Sequence, residues 1–233
     1  LIEEFFKKEK NVKTKLNLPK KGKKVDLVNM VEKNIVHSLD KHISKSSQNK
    51  ELEIGLRDAL NLKNIPKRIE VYDNSHLSGT QPTGAMIVYK NNEFSRENYR
   101  KFNIRVDSNI TNDDYLMMSQ VINRRLDISS NKLSWKNELP DLIIIDGGKG
   151  HLNLVRKIID EKKLKNIDLI SIAKGELRNA GNETIFHLDY SLKFKKNDKI
   201  LFFLQRLRDE AHRFAISSQR YRRNKLIKQS IFD

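Results

Sequence analysis

The chain has 233 residues, a third of them charged, with 46 Lys and Arg against 30 Asp and Glu and a net charge of +16. An excess of that size speaks about partners, nucleic acid before an anionic membrane surface. Cysteine is absent, which excludes a disulfide framework and thiolate-ligated zinc and fits a reducing cytoplasm; no apolar run reaches the roughly 18 residues of a membrane span.

Leu1 to Phe6 shows neither an initiator Met nor a signal-peptide layout, so the chain reads as a segment of a longer protein. From Val25 to about Ser44, the residues Leu27, Met30, Val31, Ile35, Leu39 and Ile43 recur at helical spacing and predict an amphipathic helix. Polar Ser44 to Asn49 predicts a break, and Leu52, Leu56, Ala59 and Leu60 a second helix that ends before Pro66. Arg68 to Tyr72 and Thr83 to Tyr89 are strand candidates, with Asn91-Asn92 a hairpin-type turn and Phe94 to Arg105 a third strand pairing back. Thr111-Asn112-Asp113-Asp114 has the polar caps and acids of a helix start, continued by Leu116, Met117, Val121, Ile122 and Leu126.

Pro140 to Asp146 follows, a β-branched run that reads as a fully buried strand and ends on a carboxylate, two glycines and Lys149. A helix from Gly150 to Lys163, a strand from Ile167 to Ile172 and a hairpin over Gly175 to Leu188, around Asn179-Ala180-Gly181-Asn182, complete the middle. Lys199 to about Gln219 is a long helix with Ile200, Leu204, Leu207, Ala211 and Phe214 inward. Strands joined by tight turns are antiparallel neighbours, whereas strands joined by helices run parallel. The order therefore predicts an α/β domain with a mixed five-stranded sheet flanked by helices, the ribonuclease-H-like layout, over residues 63–223. An N-terminal helical segment precedes it (1–62), and residues 224–233 read as a basic linker toward a further domain.

In that layout the first strand and the Pro140–Asp146 strand lie side by side, which sets Asp73 and Asp146 at neighbouring tips. Two carboxylates there suit a hard divalent cation, typically held by one or two carboxylates plus substrate phosphate. Asp113 and Asp114 read equally well as helix caps or as further members of the site. His212 lies at the border of an apolar stripe, where a packed histidine is the ordinary reading, but Arg206, Arg208, Asp209, Glu210 and Arg213 crowd the same turns. His76 and His151 stand beside Asp73 and Asp146 in sequence and belong among the candidates, whereas His37, His42 and His187 read as structural or solvent-facing. Gly147-Gly148-Lys149-Gly150 is not a P-loop: the position five before Gly148 is Ile143, and Lys149 is followed by Gly150 rather than Ser or Thr. It remains a tight turn with a lysine, suited to a DNA phosphate. The basic run Arg220-Tyr221-Arg222-Arg223-Asn224-Lys225-Leu226-Ile227-Lys228 reads as a phosphate-contacting extension or a solvated linker.

Five blocks resemble, in order, the C-terminal half of the UvrC family of bacterial excinuclease subunits. They are Tyr72-Asp73-Asn74-Ser75-His76 with Gly79 and Gly84, Asp113-Asp114-Tyr115, Ile145-Asp146-Gly147-Gly148-Lys149-Gly150, Ala173-Lys174-Gly175, and Arg208-Asp209-Glu210-Ala211-His212-Arg213-Phe214-Ala215. The resemblance implies a ribonuclease-H-like endonuclease domain of nucleotide excision repair. Such a domain makes the 5′ incision in the damaged DNA strand with Mg2+ or Mn2+, together with excinuclease subunits B and A. It places the catalytic and metal-binding roles on Asp73, Asp146 and His212, with Asp114 as a further acidic residue. From the residues themselves, Lys149, Arg206, Arg208 and Arg213 are expected to orient phosphate or to carry supporting charge around the site, and Arg220, Arg222 and Arg223 to contact phosphate. The family often has Ile where this chain has Asn74, and Gln where it has His151. The competing expectations are a catalytically silent DNA-binding or scaffolding module of the same fold, and a resolvase-type nuclease.

Overall fold

The computed structural model describes residues 2–9, 15, 19–75, 82–104, 113–127, 138–173 and 182–232. The chain divides into two compact units, Leu1–Gln48 and Asn49–Asp233. The first holds helix α1 (Ile2–Glu9) and the beginning of helix α2 (Lys23–Ala59). There the stripe of Leu27, Met30, Val31 and Ile35 is exposed. The break expected at residues 44–49 does not occur, and α2 is one continuous helix. That stretch is polar but holds neither Gly nor Pro, and polarity alone does not remove a helical hydrogen bond. The end of α2 belongs to the second unit's core, where Leu56, Leu60 and Leu62 are buried.

The second unit is built on one sheet. Its strands are β1 (Arg68–Ser75), β2 (Thr83–Lys90), β3 (Glu93–Phe94), β4 (Arg100–Asn103), β5 (Leu142–Asp146), β6 (Asp168–Ala173), β7 (Thr184–Phe186) and β8 (Ser191–Leu192). The order is β3-β2-β1-β5-β6-β7-β8, with β4 also paired to β2. The five expected strands form its body: β1 and β2 are antiparallel, and β1, β5 and β6 are parallel. The expected third strand is interrupted by a 3-10 turn at Arg96–Asn98, which separates β3 from β4. The apex of the hairpin expected around Asn179–Asn182 lies largely outside the described residues. Its second arm, β7, pairs antiparallel with both β6 and β8.

Strand residues alternate between two buried faces, as the period of two requires. Ile69, Val71, Ile87, Tyr89, Leu142, Ile144, Ile170 and Ile172 share a core with Leu201, Leu204, Leu207 and Ala211 of helix α5 (Lys199–Phe232). Tyr72, Met86, Val88, Ile143, Ile145 and Leu169 pack on the other face. Their partners are Met117, Met118, Val121 and Ile122 of helix α3 (Asp114–Leu126), and Leu152, Val155 and Ile159 of helix α4 (Lys149–Glu161). A sheet covered on both sides explains why β5 is a continuous apolar run rather than an alternating one. Backbone helix continues in α5 to Phe232, past the expected end near 219 and through the expected linker. No Gly or Pro interrupts that stretch.

Candidate active site

The parallel register of β1 and β5 pairs Tyr72 with Ile145 at its last step, so the next residues, Asp73 and Asp146, leave the two strands side by side. Parity decides which way they face. Asp73 follows Ile69 and Val71, and Asp146 follows Leu142 and Ile144, all on the α5 side. His212 comes down from α5, one residue past the buried Ala211. Asp73, Asp146 and His212 each offer a ligand atom, and these atoms all lie within 4.8 Å of one another. His212 Nδ1 is 2.9 Å from Asp73 Oδ2. Asp73 is 6% exposed, whereas the His212 side chain is 48% exposed. The cluster is rooted in the core and opens to solvent on its histidine side.

Two carboxylates and an imidazole converging at this spacing fit Mg2+ or Mn2+, which take carboxylate oxygens readily; Mn2+ also accepts an imidazole nitrogen. The turn after Asp146 is held by Gly147 N–H donating to the Ile172 carbonyl (3.1 Å) and Ser171 Oγ donating to the Gly148 carbonyl (3.3 Å). A side chain at Gly148 would meet nothing within 4 Å. The space beside the turn is open to a ligand backbone. Lys149 is exposed as the first residue of α4.

The other candidates fall in different places. Asp113 is the N-cap of α3, accepting hydrogen bonds from the Tyr115 and Leu116 N–H groups. Asp114 opens that helix but is not one of the three clustered residues. Its carbonyl accepts a hydrogen bond from Asn74 Nδ2 at 3.4 Å, which ties the α3 start to the tip of β1. Arg208 is bound to Glu183 (3.0 Å) and Asp209 (2.9 Å). Burial alone would raise the Glu183 carboxyl, but hydrogen bonds from the backbone, Gln205 and Arg208 hold it below the usual range. Arg213 pairs with Glu210, which also accepts from the Tyr99 hydroxyl. Arg206 lies over the rings of Tyr89, Phe94 and Phe203. Arg206 and Arg213, with Phe94 and Phe202, line an open cleft of about 440 Å³ beside α5. Arg206, Arg208 and Arg213 are therefore placed by acids and rings of their own fold. Arg220, Arg222 and Arg223 lie on the helical backbone of α5, and their side chains, like His76, are outside the described residues.

Two features escaped the sequence reading. On the α3 side of β1, Glu70 is fully buried and accepts from Arg68 (2.9 Å), Arg125 (2.7 Å) and the Tyr72 hydroxyl (2.6 Å). Burial, then the Glu70 charge, push the Tyr72 phenol well above its usual value. Burial would lower the Arg125 guanidinium, yet Glu70 holds it above the ordinary range. The available signal was the alternation itself, since Arg68, Glu70 and Tyr72 share one face of a central strand. The second feature is a stack of Tyr115 on His151, with ring centroids 4.5 Å apart and planes 19° apart. Contacts between α3 and α4 are not legible from a single sequence.

A sheet of this order, antiparallel at one side and parallel through its centre, with carboxylates at adjacent strand tips and a histidine from the covering helix, defines a ribonuclease-H-like nuclease domain. A family model described as the UvrC RNase H endonuclease domain matches residues 57–216, more than half of the chain. The chain belongs to that family. Curated relatives named UvrABC system protein C include those of Rhodopseudomonas palustris (41% identical, 94% of this chain and 33% of the relative) and Zymomonas mobilis (40%, 100% and 36%). That of Cereibacter sphaeroides is 38% identical over 100% of this chain and 38% of the relative. The chain spans about a third of the length of the relatives it matches. Among solved structures, Ciona intestinalis endonuclease V in complex with inosine-containing DNA overlaps with a TM-score of 0.34 at 16% identity, covering 58% of this chain and 59% of that one. The catalytic domain of human endonuclease V gives 0.32 at 13%, covering 58% and 61%. Likeness of that degree carries no weight, and the fold rests on the strand order and the family match. Among the described residues no helix is long and apolar enough to cross a membrane.

Proposed function

We propose that this chain is a divalent-metal-dependent endodeoxyribonuclease domain. It makes the 5′ incision in the damaged strand during nucleotide excision repair, acting with excinuclease subunits A and B. The observation that carries the reading is the convergence of Asp73, Asp146 and His212 from two strands and a helix. Asp73, Asp146 and His212 would hold Mg2+ or Mn2+, which when bound activates water and neutralises charge on the phosphoryl oxygens.

The chain's own residues supply the positioning. The packed strands β1 and β5 fix the two carboxylates against the core, so little reorganisation is needed on binding. The Nδ1 contact with Asp73 sets the His212 ring and turns Nδ1 toward the carboxylates, so Nδ1 is the nitrogen that would join them on a metal or exchange a proton there. Lys149 and the open Gly148 turn allow a phosphate to approach the tips closely. Asp114 supports the site from the α3 start as an acidic neighbour rather than a member of the cluster. A cytoplasmic place of action follows from the repair reading.

The test is incision of a lesion-bearing duplex by the chain assembled with its partner subunits, in Mg2+ and Mn2+. Asp73→Ala is expected to abolish the 5′ cut while DNA binding persists. Near-normal cutting by that variant contradicts the assignment.

A further inference from the structure

The strand tips are bordered on two sides. His212 stands on the α5 side, and the first turns of α3 and α4 stand on the other, carrying Tyr115 and His151. Tyr115 is 48% exposed although it is a large aromatic, and its ring is already held by the stack on His151. The surrounding backbone is shaped to these rings. A Cβ at Gly147 would come within 2.9 Å of His151 Nδ1, and one at Gly150 would overlap the Tyr115 phenol. Asp113 caps the helix at the Tyr115 amide (2.9 Å), and the Asn74–Asp114 contact ties that turn to the strand bearing Asp73. Exposed Lys149 and the open space at Gly148 lie in the turn leading to His151.

We propose that the Tyr115–His151 stack is a ledge on which a nucleobase of the cut strand packs, next to the scissile phosphate and opposite His212. The inference rests on the nuclease reading and adds a contact to it. A pre-oriented aromatic loses little freedom when a second π face is laid on it. Every base has such a face, so the ledge grips without reading sequence. That suits an enzyme whose cutting position is set by something other than local sequence. A basic chain with a lysine beside the ledge favours a nucleotide over an apolar peptide.

The test uses the full chain and short single strands carrying 2-aminopurine at successive positions, at low salt. Emission is expected to fall on binding at one or two adjacent positions. Tyr115→Ala should remove that quench and weaken binding about tenfold, as loss of a stacking aromatic does. Tyr115→Phe should retain both, and His151→Gln should fall between. If Tyr115→Ala lowers the melting temperature, Tyr115→Leu carries the same expectation. A quench in Tyr115→Ala and Tyr115→Leu equal to the parent's, or no quench at any position in the parent, overturns the ledge and any alternative use of the ring as a nucleotide contact. Mn2+ titration of the same proteins separates the two readings. Unchanged Mn2+ affinity in Tyr115→Ala supports a ledge independent of the metal site. A parent that binds no Mn2+ overturns the nuclease reading and leaves the quench to decide the ledge.

Discussion

Strand β1 carries two buried carboxylates three residues apart, and their surroundings could hardly differ more. Glu70 faces α3 and is met by two guanidinium groups and a phenol. Asp73 faces α5 and is brought together with a second carboxylate and a histidine. A buried charge answered by fixed opposite charges is a structural element, and removing one partner leaves the other stranded. Carboxylates gathered at a strand tip carry a like-charge repulsion that a divalent cation relieves. Burial alone does not separate the two roles; the company of the charge does.

The largest expected effect lies on the Asp73 side. Asp73→Asn should reduce incision by more than the roughly 10–100-fold that outer-sphere partners of a metal site cost. Its thermal midpoint should change little, because relief of the repulsion from Asp146 is set against a weakened contact with His212. A clear fall in the midpoint would place Asp73 in the same structural class as Glu70. On the other side, Arg125→Ala should destabilise by about 3–5 kcal/mol in urea unfolding, since it strands Glu70. A change under about 1 kcal/mol would show that Arg68 and Tyr72 suffice to satisfy Glu70.

A third buried carboxylate sharpens the contrast. Glu53, in α2, is 7% exposed, and burial pushes it up to about 7, with Lys50 offsetting this only in part. The folded state then holds a proton that the unfolded chain releases near 4.5, so stability falls as pH rises from about 4.5 to about 7. Glu53→Gln should remove that fall and stabilise at pH 8 by on the order of 2 kcal/mol, with no gain at pH 4. Equal gains at both pH values would contradict it. The smallest effect is expected at the surface. Lys149→Ala should weaken DNA binding a few-fold and lower the slope of log K against log salt by about 1. An unchanged slope would remove Lys149 from the phosphate path.

The Asp73–Asp146 pairing was legible because it follows from strand order and a period of two, which a sequence displays. His212 needed the family resemblance, since one histidine at the edge of an apolar stripe looks like any packed histidine. The Glu70 cluster is half legible: alternation sets Arg68, Glu70 and Tyr72 on one strand face, but Arg125 lies 55 residues along the chain and only the fold brings it to them. For Arg208 and Arg213 the sequence offers two roles, orienting phosphate or carrying charge around the site, and composition cannot choose between them; the fold adds that they pair with Glu183 and Glu210. The continuous α2 shows the converse, a polar stretch that nothing in the backbone obliged to break.

The central claim is that β1, β5 and α5 assemble a divalent-metal site. Crystals of this chain soaked in Mn2+ test it by anomalous scattering. The account predicts a peak bounded by Asp73, Asp146 and His212 that disappears in Asp73→Asn. Manganese bound only elsewhere, with that cluster free of density at saturating metal, would contradict it.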